Sequence, residues 1–139
     1  HACFDQMDLA IMAAAVADYT PVTRADEKIK KKEEQLTITL QKTKDILRSL
    51  GEQKKAGQVL IGFALETNNE AAHAKEKLIS KKADMIVLNS LKDAGAGFGT
   101  DTNKITIFDK SGKQFDFEMK SKKAVAADII NSISSIYYA

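Results

Sequence analysis

The chain is predicted to be an α/β domain: three layers around a mostly parallel sheet, with one hairpin inserted and an antiparallel hairpin at the edge. Three observations predict it. Charge-free apolar runs stand at residues 9–17, 59–65 and 85–88, the signature of parallel strands buried on both faces. Segments with apolar residues three and four apart lie between and after them, as in helices docked on a sheet. The segments at 36–41, 104–109 and 114–119 alternate instead with period two, as half-buried strands do. Strands alternating with helices make a layered α/β architecture.

Taken in order, HACFDQMD reads as the end of a helix that starts upstream, so the chain is expected to be part of a longer polypeptide. LAIMAAAVA at 9–17 is the first strand, and its small alanines let helices pack closely on both faces. Pro21 turns the chain out. An inserted hairpin follows, with arms at 28–32 and 36–41 around the tip Glu33-Glu34-Gln35. Its second arm places Leu36, Ile38 and Leu40 on one face. A lone hairpin is marginal in water, so this stripe needs cover, and a second subunit is expected to supply it. Thr43 reads as the N-cap of a helix carrying Ile46, Leu47 and Leu50 and ending near Gly57. VLIGFAL is the second strand, and Asn68 or Asn69 caps a helix running to about Lys82. The third strand, 85–88, closes in Asn89-Ser90. Two alternating strands then flank a Ser111-Gly112 turn. A final helix is expected to dock Ala126, Ile129, Ile130, Ile133 and Tyr137.

Composition narrows the function classes. A chain of 139 residues fits one domain and buries about 68% of its unfolded surface. Net charge is only +2, so overall charge does not indicate nucleic acid as a partner. Cys3 is the single cysteine, which excludes an internal disulfide and suits a reducing, cytoplasmic setting. The longest apolar run is too short to span a bilayer, and no signal-peptide pattern is present. His1 and His73 lack metal-ligand neighbours at the right spacing, so no metal-ligating residue is assigned.

The chemistry points to the C-terminal edge of the sheet. Asp18 closes the first apolar run, and a carboxylate at a strand's C-terminal end lies where α/β proteins bind ligands. Lys28, Lys30, Lys31 and Lys32 follow within a short loop. A carboxylate for sugar or base and ammonium groups for phosphate make a nucleotide site. Lys77 and Lys81 stand one helical turn apart on one face. Gly95, Gly97 and Gly99 are spaced G-x-G-x-G and precede a strand, so they fail the dinucleotide fingerprint. They read as a surface turn or a lid over the site. His73 reads as a surface helix residue, and Cys3 has no neighbouring base and is not proposed as a nucleophile.

AAAVADY, KIKK, LTITL running into KTKDIL, GFALETNN, and NSL followed by GAGFGTDTNKITIF together resemble phosphopantothenate–cysteine ligase. This is the synthetase half of the bacterial coenzyme A biosynthetic flavoprotein. The resemblance covers nearly the whole chain, which would be the C-terminal part of that ligase domain. It implies a Rossmann-like homodimer paired through the hairpin, with Mg²⁺ as cofactor and CTP, 4′-phosphopantothenate and L-cysteine as substrates. It also implies a flavin-dependent phosphopantothenoylcysteine decarboxylase, fused or paired. CTP would activate the phosphopantothenate carboxylate as an acyl-cytidylate, and the cysteine amine would then displace CMP.

By this resemblance the nucleotide is contacted by Ala14, Ala15, Asp18, Lys28, Lys44, Asp45, Ile46, Leu47, Phe63, Lys77 and Lys81. Lys28 would also serve the cysteine-dependent, catalytic half-reaction. Where the family has Asn-Pro, this chain has Thr43-Lys44. The family's Gly-rich strand–loop–helix and its Asn-Ser-Ser-Gly stretch are not in these residues and would lie upstream. Two readings stay open beside the ligase. One is a non-catalytic nucleotide-binding and dimerisation module, and the other is a dinucleotide-binding redox domain. No motif reports the base, so CTP against ATP also stays open.

Overall fold

A computed structural model describes residues 3–30, 35–90 and 99–138. In chain order it contains a 3₁₀ turn at Phe4–Gln6, β1 (Leu9–Met12), β2 (Tyr19–Pro21), β3 (Leu40–Lys42) and α1 (Ile46–Gln53). Then come β4 (Val59–Glu66), α2 (Glu70–Ser80), β5 (Met85–Ser90), β6 (Thr102–Asn103), β7 (Ile105–Asp109), β8 (Gln114–Asp116), β9 (Lys120–Ser121) and α3 (Lys122–Tyr137). The sheet has the order β1-β4-β5-β7-β8. β1, β4 and β5 run parallel, while β7 and β8 are antiparallel at one edge. This is the α/β class expected, with a mixed, mostly parallel sheet and extra antiparallel hairpins.

Strand periodicity sorts the core onto the two faces of the sheet. Val59, Ile61, Met85, Val87, Ile105 and Ile107 pack against Val125, Ile129 and Ile133 of α3. On the opposite face Ala64, Ile86, Leu88 and Phe108 meet Ala74 and Leu78 of α2. Leu60 meets Leu50 of α1 and Phe4 there too. Gly62 permits the close approach of α1, because a Cβ on it would lie 2.5 Å from Leu47 Cδ2 and 2.9 Å from Ile86 Cδ1. A Cβ on Gly51 would lie 1.9 Å from the carbonyl oxygen of Lys81, so only glycine lets α1 reach the end of α2. At the edge hairpin Gly112 has φ of +87°, and Asp109 Oδ1 accepts from the N–H groups of Ser111 and Lys113.

Several expectations are corrected. The first strand ends at Met12, not Ala17, and residues 13–17 are exposed and outside any strand. Pairing stops where Met12 meets Gly62, and only β4 pairs with β1 among the described residues. The inserted hairpin pairs Tyr19–Pro21 with Leu40–Lys42, and the described residues 28–30 and 36–39 of the expected arms lie outside any strand. Pro21 therefore ends a strand; it lies in a two-stranded ribbon with a free edge, where its missing N–H costs no ladder bond. Leu36, Ile38 and Leu40 are 66%, 57% and 52% exposed, so the stripe is uncovered as expected. Asp45 replaces Thr43 as the N-cap of α1, because its carboxylate reaches the N–H of Arg48. Asn69 does precede α2, though its side chain makes no cap bond.

On α3 the docked face is Val125, Ile129 and Ile133, with Ile136 and Tyr137 partly buried; Ala126 and Ile130 face outward. The N-terminal stretch forms a single 3₁₀ turn. His1, Lys31, Lys32, Glu33, Glu34, Gly95 and Gly97 lie outside the described residues. No helix among those described is long and apolar enough to cross a membrane.

Candidate functional site

A cleft of about 950 Å³ opens beyond the C-terminal ends of β1, β4 and β5. That is the edge at which parallel α/β sheets take ligands, because the chain leaves the sheet there and neighbouring connections diverge. Its first wall is residues 13–18, which leave β1 as a clip of small side chains. Thr43 fastens this wall: its Oγ1 donates to the carbonyl of Ala17 at 2.6 Å and its N–H to that of Asp18 at 2.9 Å. The predicted cap is thus a latch between the wall and the start of α1.

The second wall is the N-terminus of α1 against the C-terminal half of α2. Asp45 accepts from the Arg48 N–H at 2.9 Å through Oδ1 and from Lys81 Nζ at 2.6 Å through Oδ2. Burial pushes the Asp45 carboxyl up, but the Lys81 ammonium and the Arg48 N–H outweigh it and hold the pKa below its ordinary value. Asp45 therefore stays ionised and orients Lys81 toward the helix start. Lys77 stands one turn earlier and has no ion-pair partner among the described residues. The Asp18 carboxylate engages no side chain among them either. On this side the cleft thus offers the ammonium groups of Lys77 and Lys81, the Asp18 carboxylate and the N-terminal end of a helix, a set that suits a phosphorylated ligand.

Ten of the eleven expected nucleotide contacts line this one cleft: Ala14, Ala15, Asp18, Lys44, Asp45, Ile46, Leu47, Phe63, Lys77 and Lys81. Lys28 does not. It is exposed, outside regular structure, in the connection between β2 and β3, and absent from the cleft's lining. Four further residues enter the site that local sequence pattern did not single out. His73 is an exposed residue of α2 as expected, and its Nδ1 also lies 3.4 Å from Glu66 Oε2 on the cleft wall. Asn89 and Asn103 meet at the far end, with Asn103 Nδ2 donating to Asn89 Oδ1 at 3.1 Å. The signal for Asn89 was available, since it closes an apolar strand just as Asp18 follows one. For Asn103 there was none, because β6 pairs with β9 only in the folded chain. Among the described residues no cluster of three His, Cys, Asp or Glu side chains forms a metal site.

A parallel sheet with a cation-bearing cleft at its C-terminal edge defines an α/β ligand-binding domain. Residues 1–137 match the family described as the DNA/pantothenate metabolism flavoprotein C-terminal domain, and the chain belongs to that family. It is 54% identical over 135 residues to a cysteine/cysteine sulfinic acid decarboxylase from an unknown prokaryotic organism, covering 97% of this chain and 38% of that one. It is 45% identical over 133 residues to the coenzyme A biosynthesis bifunctional protein CoaBC of Bacillus subtilis (strain 168), covering 96% and 32%. Among solved structures, the C-terminal domain of a CoaBC protein superposes with a TM-score of 0.76 at 35% identity, covering 97% of this chain and 57% of that one. The chain therefore spans about a third of the length of these curated relatives.

Proposed function

We propose that this chain is the C-terminal part of a ligase domain of coenzyme A biosynthesis, which joins 4′-phosphopantothenate to L-cysteine at the expense of CTP. The observation that supports this reading is convergence. In a chain aligned along 96% of its length with a CoaBC protein, the residues matched to the ligase family's nucleotide contacts gather on one cleft. On this reading a carboxylate oxygen of phosphopantothenate attacks the α-phosphorus of CTP, and the bond to pyrophosphate breaks. The neutral amine of cysteine then attacks the acyl carbon, forming the C–N bond as the C–O bond to CMP breaks. Lys77 and Lys81 stabilise the charge of the departing pyrophosphate. Asp18 accepts from nucleotide hydroxyl or amine donors. Magnesium would be held chiefly by phosphate oxygens, with Asp18 as one of the carboxylates lining the cleft, and would neutralise triphosphate charge.

The rest of the assignment goes with it: a cytoplasmic homodimer, with a flavin-dependent phosphopantothenoylcysteine decarboxylase fused or paired. The uncovered stripe Leu36, Ile38 and Leu40 is the surface for the second subunit. Light scattering at micromolar concentration is expected to give twice the chain mass, and a monomeric mass removes this interface.

The deciding experiment is pyrophosphate release with CTP and Mg²⁺, with and without 4′-phosphopantothenate, and with ATP in parallel. Release that requires phosphopantothenate and prefers CTP is the expected result. Lys28→Gln is expected to keep this release but slow amide formation with cysteine. A second reading, a nucleotide-binding and dimerisation module without turnover, is favoured by Lys28 standing outside the cleft. CTP binding with no pyrophosphate release would establish it.

A further inference from the structure

Asn89 and Asn103 form a polar pair at the C-terminal end of β5, where Asn89 and Ser90 follow an apolar run, and its hydrogen bonds fix its orientation. Asn103 is 9% exposed. Its Oδ1 accepts from the backbone N–H of Lys104 at 3.0 Å. A backbone N–H only donates, so this bond fixes which end of the Asn103 amide is oxygen. Its Nδ2 must then face Asn89, whose Oδ1 accepts at 3.1 Å. The Asn89 amide is turned in consequence, with its own Nδ2 hydrogens on the far side. Among the described residues nothing accepts those hydrogens.

The position matters as much as the orientation. Asn89 lies on β5 opposite Leu65 of β4 and Ile105 of β7. Period-two alternation puts it on the α3 face with Val87, whereas the α2 face carries Leu88. Lys77 and Lys81 belong to α2 and its cap. The cleft therefore receives a ligand from two sides: cations from α2, and a fixed pair of N–H donors from β5. Among the described residues that line the cleft, Lys122, the exposed first residue of α3, is the cation contributed from the α3 side.

Resting on the ligase reading, we infer that Asn89, locked by Asn103, is a substrate contact that donates hydrogen bonds to an oxygen acceptor of the bound acyl substrate or nucleotide. An amide whose carbonyl end is already committed discriminates by geometry. It favours an acceptor and is mismatched to a donor, which would leave its N–H groups unpaired. Asn103 is the positioning residue.

The test is titration calorimetry of 4′-phosphopantothenate and of CTP, separately, on the wild-type chain, Asn89→Ala and Asn89→Asp. Weakening of about tenfold for one of the two ligands with Asn89→Ala is expected, and which ligand weakens identifies the acceptor. Asn89→Asp is expected to weaken that ligand further, since an anion then faces an anion. Thermal melting checks each fold, and Asn89→Ser, which keeps one donor at lower volume, stands in if the alanine variant unfolds; it is expected to fall between. Binding of both ligands within twofold of wild type in all variants overturns the inference and leaves the ligase reading intact. A wild-type chain that binds neither ligand overturns that reading and the inference with it.

Discussion

Asp84→Ala is expected to lower the unfolding free energy by about 3 kcal/mol, at the lower end of what breaking a buried ionic cluster costs. Asp84 is 1% exposed and joins four elements at the end of the sheet opposite the cleft. Its Oδ2 accepts from Lys54 Nζ at 2.5 Å and from the Leu60 N–H at 2.8 Å, and its Oδ1 from Lys110 Nζ at 2.8 Å. Its backbone carbonyl accepts from the Tyr137 hydroxyl at 2.7 Å, so the end of α3 is tied to the same point. Removing the carboxylate leaves the Leu60 N–H unpaired in the core and two lysines facing each other across the gap. Urea unfolding at neutral pH measures the loss, and a change under about 1 kcal/mol would show the cluster to be ornamental.

The same cluster carries a pH signature. Burial alone raises the Asp84 pKa, but the bonds from Lys110, Lys54 and the Leu60 N–H outweigh it and leave the group below its ordinary value. A carboxyl depressed on folding stabilises the protein above its unfolded pKa, about 3.9, and that contribution disappears as pH falls through the lower folded value. The gap between wild type and Asp84→Ala should therefore be full at neutral pH and close only in acid below about pH 4. Tyr137 does not titrate in this range, because burial and then the charges of Asp84 and Asp109 push its hydroxyl up.

Lys77→Ala is expected to slow nucleotide-dependent pyrophosphate release by about 100-fold, the usual cost of one lost group on developing transition-state charge. The motivating fact is its position. It lines the cleft one turn from Lys81 and lacks an ion-pair partner among the described residues. Lys81→Ala should cost more, because Asp45 then loses the partner at 2.6 Å that orients the start of α1. Melting temperature separates the two: Lys77→Ala should leave it nearly unchanged and Lys81→Ala should lower it slightly. Activity within twofold of wild type in both variants would move the phosphate subsite elsewhere.

Local pattern carried much of this. Three apolar runs announced the parallel strands, and alternation announced the edge hairpin, because burial on two faces or on one leaves different periods in the chain. It failed where the next residue's burial was settled by a distant segment. Ala13 to Ala17 read as strand because alanine is apolar, yet among the described residues no strand pairs with them beyond the Met12–Gly62 step. Ala126 and Ile130 read as core because their spacing is helical, and the rotation of α3 buries Val125 in their place beside the expected Ile129 and Ile133. Thr43 and Asp45 are both good caps, and the chain settled the choice by using Thr43 as a latch on Ala17, 26 residues earlier.

The cleft divides in the same way. Asp18, Lys77 and Lys81 were legible because a carboxylate closing a strand and lysines one turn apart are local facts. Family likeness added Ala14, Ala15, Lys44, Asp45, Ile46, Leu47, Phe63 and Lys28, and all but Lys28 line the cleft. The sequence by itself determined the class of fold, the edge of the sheet at which the cleft opens and the lysines of α2 that line it. Only the tertiary structure decided that Asp45 holds Lys81, that Asn103 turns Asn89 and that Asp84 knots the opposite end. Those bonds join residues 36, 14 and as many as 53 positions apart. Local periodicity reports which face of an element is buried, and says nothing of which polar partner is buried beside it.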